Sequence, residues 1–98
     1  MIDSAANRRA ARHHEVARRF APGDVEAALD LLALVDLAWH DCYGESSPPE
    51  GVLDDMLLMA DGDMGRLARF GRLAVIDFRD LRVAADERRS EQGPRRSD

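Results

Sequence analysis

No stretch restricts the folding options of this chain more than Asp24 to Tyr43, DVEAALDLLALVDLAWHDCY, twenty residues without Gly, Pro or a basic side chain. Absence of breakers and a 3.6-residue apolar period make it a helix. On a helical wheel Val25, Ala28, Leu29, Leu32, Val35, Trp39, Cys42 and Tyr43 form one broad face, with Leu31 at its edge. Ala27, Leu34, Leu37 and Ala38 lie on the opposite side among Asp30 and Asp41, so the helix is apolar nearly all round. Such a helix must be covered from more than one direction. The chain around it therefore has to supply several helical neighbours, or a second molecule has to supply one.

The flanking segments carry the same period. Residues 4 to 20 place Ala6, Ala10, His13, Ala17 and Phe20 on a narrow stripe, with Arg8, Arg12, Glu15 and Arg19 opposite; this predicts a basic amphipathic helix that docks through small residues. Ala21, Pro22 and Gly23 end it, and Asp24 is placed to cap the next. Ser47, Pro48, Pro49 and Glu50 have the spacing of a capping box and predict a third helix over 48–60, with Leu53, Met56, Leu57 and Ala60 inward and Asp54 and Asp55 outward. Gly62 ends that helix and Asp63 caps a fourth over 63–88. Its stripe runs unbroken through Met64, Leu67, Phe70, Gly71, Ala74, Val75, Phe78, Leu81 and Ala85. The expected fold is an all-α bundle of four helices, about 4–20, 24–43, 48–60 and 63–88. It forms a single domain over 1–89, with a disordered tail over 90–98 where nothing can be buried.

Ninety-eight residues suffice for one modest core, burying roughly 60 to 65% of the unfolded surface. An enclosed active site is hard to build at that size without a second subunit. The lone Cys42 offers neither a disulfide framework nor a thiolate metal site, and the three His have no ligand spacing, so no cofactor or metal is expected. The N-terminus lacks the apolar run of a signal peptide, and no stretch approaches the ~20 apolar residues of a membrane span. The expectation is a cytoplasmic protein with no membrane partner.

Net charge is −5, divided as +3 over residues 1–20, −11 over 21–63 and +3 over 64–98. All fourteen basic residues are Arg, which fits a bacterial genome of high GC content. The charge blocks predict that Arg side chains of the first and fourth helices pair with the acidic middle of the chain. The Arg66, Arg69 and Arg72 strip raises nucleic-acid binding as an alternative. Against it, the helix before the strip is acidic, and Asp61 and Asp63 flank the turn where a helix-turn-helix is apolar.

Two residues disobey the apolar pattern. Asp36 falls inside the core arc of the central helix, and Arg82 breaks the stripe of the fourth; an Asp36–Arg82 pair would satisfy both. Asp36, Trp39, His40 and Tyr43, completed by Arg82, form the candidate binding site for a ligand-binding or enzymatic reading. No catalytic residue is assigned, because successive residues of one helix point 100° apart and His40, Asp41 and Cys42 cannot converge. Leu34, Leu37, Leu73, Ile76 and Val83 lie outside the core stripes and are the candidate interface. The leading expectation is a non-enzymatic interaction or regulatory protein, a homodimer or the ligand of a protein partner, acting through a helix face.

Overall fold

The structure, a computed structural model, describes residues 5–92. Four α-helices follow one another: α1, Ala5–Arg19; α2, Val25–Tyr43; α3, Glu50–Ala60; and α4, Met64–Gln92; a 3-10 turn, Pro22–Asp24, leads into α2. No strand occurs among the described residues. The all-α bundle of four helices is thus what the chain forms, and the four helices start and stop within a few residues of the expected positions. Residues 90–92 still belong to α4 and are not part of a tail; the rest of the expected tail, 93–98, lies outside the described residues.

The helix starts differ in mechanism from what the sequence suggests. Asp24 has helical φ and ψ and its side chain makes no capping bond, because Pro22 has already begun the coil as a 3-10 turn that runs straight into α2. The Ser47 capping box does not form either: Pro49 is the N-cap, with ψ 150°, and no side chain caps α3. Proline disfavours helical angles in the residue before it, so Pro48 and Pro49 keep Ser47 and Pro48 from starting a helix, and α3 begins only after Pro49. Asp63 does cap α4, its Oδ1 accepting the Arg66 amide at 2.9 Å. Between α3 and α4 the chain turns through Asp61 and Gly62, at φ 51° and 78°. Gly62 is required twice over, because a Cβ there would stand 2.7 Å from the Arg19 carbonyl oxygen at the end of α1.

The uninterrupted stripe expected of α4 is broken. Asp77 leaves helical geometry at φ −157°, ψ 84°, and divides α4 into residues 64–76 and 78–92. Arg66, Arg69 and Phe70 of the first half line one cleft with Glu87, Arg88 and Glu91 of the second. In a straight helix Arg66 and Glu91 would stand about 37 Å apart, so the helix folds back on itself at Asp77. The break is locally satisfied: Asp77 Oδ1 accepts the amides of Arg79 at 3.1 Å and Asp80 at 3.3 Å, as an N-cap does. In an unbroken helix the Arg79 amide would bond the Val75 carbonyl; here the Tyr43 hydroxyl donates to that carbonyl at 3.0 Å instead.

The core fills the space these helices enclose, with Val16, Leu32, Met56, Leu67 and Leu81 fully buried. Phe20, the end of the stripe expected to dock, is buried, but α1 itself meets the core through a different face. Ala6, Ala10, His13 and Ala17 are exposed, while Val16 and Phe20 are buried and Arg8 and Arg12 turn inward. Burying an Ala methyl gains far less than burying Val or Phe, and Arg8 and Arg12 find an acid on α2, so bulk and charge together set the rotation of the helix. Cys42 and Tyr43 are exposed, whereas Asp55, expected outside, is completely buried.

Candidate functional site

Asp36 is buried in α2 and bonded to an arginine of another helix, but the partner is not Arg82. Arg12 of α1 binds it in a two-pronged arrangement, Nη1 to Oδ2 at 2.9 Å and Nη2 to Oδ1 at 3.0 Å. Arg8, one turn earlier, adds Nε to Oδ2 at 3.3 Å. Arg82 instead holds Asp55, Nε to Oδ2 at 2.8 Å, and Arg89 two turns later brings Nη2 to 2.8 Å from Oδ1. The Asp55–Arg89 contact is an ion pair without the alignment of a hydrogen bond, leaving Oδ1 without one. Each buried carboxylate is thus clamped by two arginines from one neighbouring helix, and Gly51 keeps α3 bare where Arg82 crosses, since a Cβ there would lie 2.5 Å from Nη2.

The five residues of the candidate binding site therefore divide among three places. Asp36 and His40 line a cleft of about 430 Å³ between α1 and α2, with Arg8, Arg12, Leu37 and Ser46. Trp39 and Tyr43 turn towards the break in α4, where their ring centroids lie 4.4 Å apart with the planes tilted by 43°, and Phe78 meets them at 5.7 and 6.3 Å. The Trp39 indole Nε1 donates to Glu45 at 3.0 Å. Arg82 belongs to the Asp55 cluster. Asp36 has both oxygens bonded to guanidinium groups, which makes it an anchor between α1 and α2. Among the described residues no three His, Cys, Asp or Glu side chains gather as a metal ion would need.

The charge blocks pair as expected in part: Arg8, Arg9, Arg12, Arg82, Arg88 and Arg89 reach acids of the middle of the chain, and the other described arginines do not. Arg9 reaches Glu26 at 2.6 Å and Asp30 at 2.9 Å, and Arg88 lies 4.0 Å from Asp61. Glu15 binds Arg18 and Arg19 within α1. Arg66, Arg69 and Arg72 make no ion pair among the described residues, and they do not join Arg8 and Arg12, which lie in a different cleft.

The candidate interface residues also separate. Leu73 is half-buried and packs on the core. Val83 is exposed beside Asp86 and Glu87 on the second half of α4, away from the others. Leu37 stands on the α1 side of α2. Leu34 and Ile76 both line a groove of about 310 Å³ between α2 and the first half of α4, with Leu31, Ala38, Ala68 and Val75 in its walls. Arg72 is the one charged side chain there. Sequence reasoning missed Arg8, Arg12, Asp55 and Arg89 as members of buried charge clusters. The seven-residue spacing of Arg82 and Arg89, two turns on one face, was the available signal for the second cluster. No helix among the described residues is long and apolar enough to cross a membrane. Compared with protein-family models, with curated proteins and with solved structures, the chain finds no match.

Proposed function

We propose that this protein is a small helical interaction module whose working surface is the face shared by α2 and the first half of α4. One observation carries the reading: Leu34 and Ile76, 59% and 61% exposed, flank a groove with apolar walls, in a chain whose other large apolar side chains are mostly enclosed. Scattered exposed leucines need no explanation, but two bulky aliphatic residues beside a preformed groove provide the anchors and the pocket that helix-in-groove recognition uses. The cleft between α1 and α2 supports a binding role less well, because its buried carboxylate, Asp36, already has both oxygens bonded to arginine.

A photo-crosslinking amino acid at position 76 tests the reading in cells that express the protein at its native level. It should yield a discrete crosslinked product, and the same amino acid at position 83 should yield none. Equal yields, or no product at either position, would overturn it.

A further inference from the structure

We infer that α4 has a second form, straight through Asp77, in which residues 78–92 leave their own chain and take the same place on a second copy, so that two copies exchange the second half of α4. The exchange is independent of the interaction reading above. The phase of the apolar positions points to it. Met64, Leu67, Gly71, Ala74, Phe78, Leu81 and Ala85 alternate steps of three and four residues without interruption across the break. That is the a and d pattern of a heptad, and in a straight helix it forms one seam. Two helices joined by a turn need no common phase, because the turn resets it; one straight helix does need it.

Both halves turn this seam inward. Leu67, Gly71 and Ala74 of the first half and Leu81 and Ala85 of the second are buried, while Phe78, beside the break, stays 36% exposed. Straightened, the 29 residues of α4 span about 43 Å. A two-fold axis beside Asp77, perpendicular to α4 and pointing towards the core, lays the two long helices side by side and antiparallel, with both seams on the core side. Residues 78–92 of each copy then lie beside residues 64–76 of the other, running in the direction they have in the folded-back chain. The contacts of the second half are kept: Arg82 and Arg89 hold Asp55 of the other copy, and Arg88 reaches its Asp61. What changes is the break itself. Asp77 gives up the Arg79 and Asp80 amides, which return to helical acceptors. No Gly or Pro occurs between Leu73 and Ala84 to hold the chain open as a turn. Two forms built from nearly the same contacts are what permits an element to be exchanged between copies, and protein concentration selects between them.

The experiment uses the full chain with the exposed Cys42 replaced by Ser, made as two versions, one carrying Arg66→Cys and the other Glu91→Cys. Both positions are exposed and line the cleft between the halves of α4, so they are neighbours only where a second half lies beside a first. Equal amounts are mixed, warmed so that chains open, concentrated, separated by size and treated with a short bis-maleimide. The dimer fraction should give a covalent product of one chain of each kind, and the monomer fraction should give none. Asp77→Ala in both chains removes the cap of the folded-back form and puts the best helix former at the hinge, so it should tighten dimerisation at least tenfold. Two glycines inserted after Asp77 interrupt the straight helix and should return the protein to monomer. The exchange is overturned if neither the wild-type hinge nor Asp77→Ala gives the mixed product, and equally if the glycine insertion leaves that product undiminished.

Discussion

Asp36 shows what one residue contributes. A carboxylate taken out of water costs several kcal/mol, and its attraction to cations offsets this only when the geometry is good and both oxygens are bonded. Arg12 supplies the two-pronged contact and Arg8 the third bond. Asp36→Ala should therefore destabilise the protein by about 3 to 5 kcal/mol, since it leaves the largely covered Arg12 guanidinium without its acid. Asp36→Leu combined with Arg8→Met and Arg12→Met should be far milder, because no charge is stranded. Urea unfolding of the two variants decides the matter, and a loss under 1 kcal/mol for Asp36→Ala would mean that water has replaced the carboxylate. That Asp36 needs a cationic partner is legible in the sequence, because a single acid sits inside an apolar arc. Which of fourteen arginines serves is not legible, because the choice depends on how α1 is rotated about its own axis.

Among the elements, α4 departs most from its expected form. Its apolar period runs across Asp77 without Gly or Pro, and nothing in that period distinguishes one long helix from two antiparallel halves. The only local trace is that Asp is a favoured N-cap and that Asp80 follows in the first turn of the second half. Asp77→Ala removes the acceptor for the Arg79 and Asp80 amides and should cost about 1 kcal/mol. Tyr43→Phe removes the donor to the Val75 carbonyl and should cost about 0.5 to 1.5 kcal/mol. Both bonds exist because the helix breaks there, so the two losses should fail to add by 0.5 kcal/mol or more in a double-mutant cycle. Strict additivity would show that the Tyr43 bond does not depend on the break.

For the whole molecule, the distribution of charge sets the response to pH. Glu15, Glu50 and Asp54 meet where α1 crosses α3. Partial burial, then the like charges of Glu50 and Glu15, push the Asp54 carboxyl above its ordinary range, with Arg89 opposing. A carboxyl raised in the folded state contributes stability below its unfolded pKa and loses it as pH rises through the folded value. Asp54→Asn should therefore stabilise the protein at pH 7, by roughly a few tenths of a kcal/mol, and the gain should vanish by about pH 3.5. Glu15 has the opposite sign: the hydrogen bond from Arg19, and a weaker one from Arg18, hold its carboxyl below the ordinary range against partial desolvation. Its contribution is present above the unfolded pKa and is lost as pH falls, so Glu15→Gln should destabilise at pH 7 and be neutral in acid. Thermal melts at both pH values check the pair, and the same sign for both variants would refute the assignment.

The sequence by itself determined the helical class, the positions of the four helices to within a few residues, the apolar side of α2 as far as Trp39 and the pairing of some arginines of the basic ends with an acidic middle. These follow from period, breakers and charge, which act over neighbouring residues or over long range without fine geometry. The tertiary structure decided the inward face of α1, the division of Asp36, Trp39, His40, Tyr43 and Arg82 among three places, the burial of Asp55 and the fold-back at Asp77. Each of these is a competition between faces or partners of similar local energy. Such a competition is settled only when a second helix arrives to bury Val16 and Phe20, to saturate a carboxylate, or to donate the hydrogen bond that a broken helix lacks.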